Sequence, residues 1–215
     1  MVGTLPGVLA ATCAKLGGGI CVSLATAILA HGYVAIFVLM ALEAASFPIP
    51  SEVVLPLVGY LGALGYVSVP GGFAAAMLGS VVGMSADYAV AYYLGKEVVY
   101  KHMHVFHIKR RTVDAFDAWF ASNGRFTVFI ARLIPLVRGL INFPAGFAGM
   151  SLRDFFLYSL LGAAIWTALL MGVGFYAQSL AMNVYYLMVG MALFFVVLYA
   201  MYRFMMKRIL RELKK

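Results

Sequence analysis

The chain alternates between long apolar runs and short polar connections. Residues 8–30, 71–95, 155–178 and 182–202 are apolar with few charges, and each run approaches the roughly 20 residues that a membrane-crossing helix needs. Two further runs, 33–65 and 126–149, are as apolar but interrupted. Pro48, Pro50 and Pro56 break the first, and Pro135, Pro144 and Gly146 break the second. Broken helix at membrane depth persists only where it is buried in protein or lines a wet cavity. Residues 105–122 differ again, alternating charge with Val, Phe and Trp119 at helical spacing, which predicts an amphipathic helix lying in the membrane interface.

Composition fits this pattern. Of 215 residues, 64% are hydrophobic and 11% charged, with a mean hydropathy of +0.96. A soluble domain is about half apolar and about a quarter charged, so the expected fold is an all-α polytopic membrane protein occupying residues 1–215 as a single domain. The net charge of +8 does not point to nucleic acid. Its excess sits in two places, Lys96 to Arg125 and the tail from Arg203 to Lys215, and the positive-inside rule makes both cytoplasmic at the cell membrane. Three full crossings between them would put the tail on the wrong side. Parity returns if 126–149 is a re-entrant hairpin, entering and leaving by one face. Residues 8–30 either span the membrane or lie at its surface. Cys13 and Cys21 lack the neighbours of a zinc site and read as small packing residues.

An internal repeat supports a second hairpin at 33–65. His31 to Val38 lies over Asn123 to Ile130, and Pro56 to Gly62 resembles Pro144 to Gly149 with one residue fewer, the offset being 92 at the start and 87 at the end. An uninterrupted apolar helix follows each hairpin. One crossing separates the hairpins, so they enter from opposite faces and form an inverted repeat. The halves are 1–95 and 126–180, joined by the basic loop 96–125 and followed by a last helix and tail, 182–215.

Five ionisable residues fall inside apolar runs: Glu43, Glu52, Asp87, Arg132 and Arg138. Each costs roughly 2.5–3.5 kcal/mol at a helix centre on insertion scales, so each needs a partner or a use. A break at Pro135 lets Arg132 and Arg138 turn towards one cavity, where two guanidiniums form a fork for a phosphate or carboxylate. A Glu that moves between a dry site and an arginine partner can take up and release a proton. Glu43 and Glu52 are therefore either proton-coupling groups or structural counter-ions of the arginines. Asp87, four residues after Gly83, is either a helix-packing group or a third member of the site. Gly79 and Gly83 form a GxxxG pair that marks close helix contact. His102, His104 and His107 read as a solvated polar turn, and no metal or other cofactor is expected. Neither hairpin holds a histidine and no GxSxG, HExxH or CxxC occurs, so the chain does not read as an enzyme.

Glu43-Ala-Ala-Ser-Phe-Pro48-Ile-Pro50-Ser51-Glu52, Pro56 with Gly59, Tyr92-Tyr93-Leu94-Gly95-Lys96, and Phe129-Ile-Ala-Arg132-Leu-Ile-Pro135-Leu-Val-Arg138 through Pro144-Ala-Gly146 to Gly149-Met150 resemble the DedA family of the SNARE-associated Golgi protein superfamily. The likeness covers about residues 25–178 and implies two facing re-entrant hairpins. It implies a flippase for an anionic polyprenyl phosphate such as undecaprenyl phosphate, with protons as the coupling ion and with Glu43, Glu52, Arg132 and Arg138 at the positions of the family's functional acids and arginines. Asp87 stands where the family pattern leads one to expect a small residue. The alternatives are a less selective phospholipid scramblase and a structural membrane protein whose ion pairs hold the fold. The expected partners are the lipid, the membrane, protons and a further copy of the chain.

Overall fold

The structure, a computed structural model, describes residues 19–95, 110–135 and 137–179. The three clustered histidines, Cys13, the segment 96–109, the helix expected at 182–202 and the basic tail lie outside the described residues. Every regular element among the described residues is helical: α1 (Gly19–His31), α2 (Tyr33–Ala44), α3 (Ser51–Ala63), α4 (Val69–Val90) running into a π-helical turn (Ala91–Gly95), α5 (Arg110–Arg132), α6 (Val137–Leu140), α7 (Asn142–Phe147) and α8 (Leu152–Ser179).

Two of these are long and apolar enough to cross a membrane, Val69–Gly95 and Leu152–Ala177. Both carry a lipid-compatible stripe at four-residue spacing, Leu78, Val82 and Val90 on α4 and Leu157, Leu161, Ile165 and Leu169 on α8, all exposed. Their opposite faces pack inward, so these helices are apolar all round, as membrane helices are. The 12-residue α2 and 13-residue α3 are different. At 1.5 Å per residue each reaches about 18–20 Å, short of the ~30 Å hydrocarbon core.

Small residues let the backbones approach. Added Cβ atoms on Gly79 and Gly83 would strike the carbonyls of Phe37 and Ala41, so α2 lies directly on α4 and runs the same way. The GxxxG pair thus marks the close contact its spacing predicts. In the second half Gly162 of α8 receives Phe129 and Arg132 of α5, again with the two helices running the same way. The long helices α4 and α8 are opposed. Gly72 meets Met171 at one end, and the Tyr88 and Phe155 rings meet at the other with centroids 4.6 Å apart.

The halves also end their elements alike. Gly65 and Gly149 adopt left-handed backbone, φ 81° and 66°, and the same pair of turn bonds surrounds each. Gly65 donates to Gly62 and Tyr66 to Leu61, while Gly149 donates to Gly146 and Met150 to Ala145, all at 3.0 Å. This is the glycine-terminated C-cap that satisfies the last carbonyls of a helix. A serine then starts each long helix: the Ser68 and Ser151 hydroxyls accept from the N–H of Gly71 and Asp154. Tyr33 and Arg125, which the sequence repeat aligns, tie the first arm of their half to that start. The Tyr33 hydroxyl donates to Ser68 Oγ at 3.0 Å, and Arg125 pairs with Asp154 at 3.0 Å.

Three expectations are corrected. Residues 105–122 and 126–149 do not begin as separate elements, because α5 runs unbroken from Arg110 to Arg132. Gly124 inside it costs only ~1 kcal/mol, and the helix stops just before Pro135. Pro56, Pro144 and Gly146 do not mark breaks. Pro56 lies within α3 and the other two within the short α7, where a proline in the first turn gives up no helical bond. The breaks are 45–50, with Pro48 and Pro50, and 133–135, with Pro135. Finally, Cys21 is buried as a packing residue should be, yet it is disulfide-bonded.

Gly83→Val, which drives a side chain into the Ala41 carbonyl, should lower stability by about 1–3 kcal/mol or more. Gly172→Ala, where nothing lies within 4 Å of the new atom, should be neutral or stabilising by up to ~1 kcal/mol. Melting temperatures of the two purified variants in one detergent check the contrast, and equal losses would contradict the packing.

Candidate functional site

The two breaks in the helical path meet. At the end of α2, Ser46 is a non-glycine residue with left-handed backbone, φ 60°, a conformation that costs energy unless its surroundings hold it. Its hydroxyl donates to Asp87 Oδ2 of α4 at 2.6 Å. Facing this turn, the chain after α5 folds through Pro135 into α6 and α7. Asn142, completely buried, joins the two turns. Its amide donates to the Ala44 carbonyl at 3.0 Å and to Asp87 Oδ2 at 3.2 Å.

Arg132 is 4% exposed and clasps its own turn from inside. It donates to the Arg138 carbonyl at 2.9 Å, to Asn142 Oδ1 at 2.6 Å and to Ser159 Oγ at 3.2 Å. Its Nε has no partner among the described residues. The Phe155 ring lies 6.0 Å from its guanidinium. Arg138 reaches across to the first half and pairs with Glu43 at 2.5 Å, both side chains about nine-tenths buried. The Trp166 ring, 5.3 Å from that guanidinium, adds a cation–π contact. Glu43, Ser80, Arg132, Arg138, Gly139 and Ala163 line a cavity of about 10 Å³, room for about one water.

Four of the five expected ionisable residues therefore converge: Glu43, Asp87, Arg132 and Arg138. Glu52 does not join them. It is half-buried in the first turn of α3, where the helix N-terminus favours a carboxylate, and it has no hydrogen-bond partner among the described residues. The expected pairing of two acids with two arginines holds for Glu43 and Arg138 only, because Arg132 is satisfied by neutral oxygens. Asn142, Ser46, Ser159 and Trp166 were not among the expected site residues. An amide in an apolar run is a signal for a cross-helix hydrogen bond and would have found Asn142. Ser46 and Ser159 carry no such mark.

Asn142→Leu keeps the size of the side chain but strands an arginine N–H and the Ala44 carbonyl, each worth about 1–3 kcal/mol when buried without a partner, and takes one of its two donors from Asp87 Oδ2. The expected result is a large drop in melting temperature in detergent, deeper than for Ser159→Ala. A wild-type melting temperature would show that the two turns are held by something else.

The VTT domain model matches residues 49–176, a span that holds α3, the π turn, both arginines and most of α8. A protein of Lactococcus lactis named alkaline phosphatase-like protein is 34% identical over 148 residues, 66% of this chain and 69% of that one. The undecaprenyl phosphate transporter A of Staphylococcus aureus is 32% identical over 63% of this chain and 68% of its own length. The DedA protein of Escherichia coli is 27% identical over 53% of each chain. No solved structure matches. With more than half its length under one family model and its broken helices meeting at a buried ion pair, the chain belongs to the VTT-domain, or DedA, family of membrane proteins.

Proposed function

We propose that this protein carries an anionic polyprenyl phosphate across the cell membrane, with protons as the coupling ion. The observation that carries the reading is the buried Glu43–Arg138 pair, the direct ion pair between the two halves at the point where both helical paths break. The name of the Staphylococcus aureus relative supplies the substrate class.

The cavity at the pair admits a water and no phosphate, so the described state is a closed one. In the proposed cycle the two turns separate, the lipid phosphate takes the place of Glu43 on Arg138, and Glu43 takes up a proton as it loses its cation. Arg138 offers a planar, permanently charged fork, which Trp166 holds in place. Arg132 keeps the turn folded and presents its unpaired Nε to the same cavity. Asp87 is the second acid within reach, while Glu52, directly after the first break, serves the α3 terminus.

The same reading makes 33–65 and 126–149 re-entrant hairpins of an inverted repeat. Support comes from the short α2 and α3, from the Tyr33–Ser68 bond that brings the start of one arm to the level where the other leaves, and from the matching helix ends. The repeat-matched Gly59 and Gly146 add to it. Gly59 seats against Met171 of α8, and Gly146 against Tyr88 of α4, so each return arm rests on the long helix of the other half.

Transport of a trapped or fluorescent polyprenyl phosphate in proteoliposomes, with and without a pH gradient, tests the function. Arg138→Lys should lose most transport at near-normal stability, because a lysine keeps the charge without the fork. Arg132→Lys should lose stability as well. Glu43→Gln should lose the response to the gradient, and an undiminished response would remove Glu43 as the proton carrier. If it loses several kcal/mol of stability with its gradient response intact, the pair is structural only. For topology, a cysteine at Ser122 should label from the cytoplasm and one at Tyr66 from outside. Labelling of both from one face would end the inverted-repeat reading.

A further inference from the structure

A second cavity, of about 390 Å³, lies where α4 passes into the π turn and faces the turn that leads into α8. This is within the roughly 300–1,000 Å³ typical of ligand pockets. Tyr88, Tyr92, Tyr93, Ala89, Leu152 and Phe156 give it its walls. The π turn shapes it. One wide turn inserted at the end of an α-helix changes which residues share a face, and such turns recur at functional sites. Here it leaves Tyr92 and Tyr93 adjacent and edge-on, centroids 5.2 Å apart, with Tyr93 75% exposed. The groove's floor is fixed: the Tyr88 hydroxyl donates to the Met150 carbonyl and the Tyr88 ring stacks with Tyr92 at 5.9 Å.

Two features say what occupies it. The groove lies between the last residues of one membrane span and the first residues of the other, so it opens sideways at a single membrane interface, where the surroundings are lipid and where tyrosine, apolar in body and polar at its tip, is favoured. It also lies one aromatic layer away from the ion-pair site. Tyr88 packs on Phe155, Phe155 lies against the Arg132 guanidinium, and the residue before Tyr88 is Asp87. A lipid whose phosphate sits at Arg138 has an apolar chain that must leave the site, and separation of the two turns in the proposed cycle would let it pass the Tyr88–Phe155 layer into this groove.

We infer that the tyrosine groove binds the apolar chain of the transported lipid, holding its first isoprene units while the phosphate engages the arginines. The inference rests on the proposed function, and on the proposed topology it gives the cytoplasmic leaflet its lateral entrance. The rings offer flat faces to a branched, unsaturated chain, and the groove is closed at the bottom by fixed side chains, so a defined chain segment is bound.

The test uses the full-length protein in phosphatidylcholine nanodiscs with a polyprenyl phosphate carrying a diazirine on its first isoprene units, cross-links being mapped by mass spectrometry. Labelling is expected at Tyr92, Tyr93 and Leu152, and excess unlabelled polyprenyl phosphate should remove it. Ala89→Trp, which fills the groove, and Tyr93→Ala, which removes one wall, should each lower it about tenfold, the scale of one lost aromatic contact with its buried area. Tyr93 is largely exposed, so that variant folds and decides the matter even if Ala89→Trp does not. Labelling spread evenly along Leu78, Val82, Leu161 and Ile165 overturns the inference. So does competition by phosphatidylglycerol as effective as that by polyprenyl phosphate, which would make the groove a site for bulk lipid. Groove labelling that survives Arg138→Ala leaves the groove assigned and counts against the phosphate reading, whereas transport that depends on Arg138 without groove labelling does the reverse.

Discussion

Hydrocarbon supplies no hydrogen bonds, so a helix that breaks inside a membrane protein must satisfy its freed backbone groups and its charges from within the chain. That constraint organises everything around residues 43–46 and 132–142. The Arg138 carbonyl, released by the turn at Pro135, is taken by Arg132. The Ala44 carbonyl, released at the end of α2, is taken by Asn142. Arg138 itself is neutralised by Glu43 from the other half. The second break thus satisfies part of its own backbone, and each break draws a further partner from the other. The close-packed glycines serve the same end, since the two turns meet only if α2 lies flush on α4 and α5 on α8.

The sharing is also what makes the junction suited to change. A buried pair whose partners sit on separate halves is costly to break by deleting one side, about 3–5 kcal/mol, yet cheap to exchange for another anion of the same charge. Arg132 and Asn142, by contrast, bind groups on their own turn as well as across it, so they hold the local fold through any such exchange. The division of labour between the two arginines follows from their partners: one faces a charge and the other neutral oxygens.

Much of this was legible in the sequence, for identifiable reasons. Ionisable residues in apolar runs are so expensive that Glu43, Asp87, Arg132 and Arg138 announced themselves, and Gly79 with Gly83 announced a helix contact. The repeat aligned Tyr33 with Arg125 although the residues differ, and both tie an arm to a long helix, which composition could not have told. What stayed hidden depended on three-dimensional supply. Pro144 looks like a break until one sees that a proline in the first turn of a short helix removes no bond, Pro56 until α3 is found to continue through it, and Gly146 until the Tyr88 backbone is found against it. The join between the amphipathic stretch and the second broken run was hidden because Gly124 reads as an interruption and costs too little to be one. Ser46 has no sequence mark at all, since its strained backbone is held by Asp87, 41 positions away.

Charge balance gives the proposed coupling its physical basis. The buried cluster holds two acids, Glu43 and Asp87, and two arginines, Arg132 and Arg138, and is formally neutral as it stands. A phosphate that enters brings one or two negative charges into a region where an uncompensated charge costs several kcal/mol. Arginine cannot respond, because it is already fully charged. The acids can: each proton taken up by Glu43 or Asp87 cancels one incoming charge, and Glu43 is the more exposed to this demand because the phosphate displaces it from its cation. In the proposed cycle, neutrality would tie lipid entry to proton uptake and lipid exit to proton release, without any contact between proton and phosphate. A site with a surplus arginine would bind the lipid more tightly and lose that link, so the pairing of acids with arginines, which looks wasteful in a binding site, is what a carrier that must also let go requires.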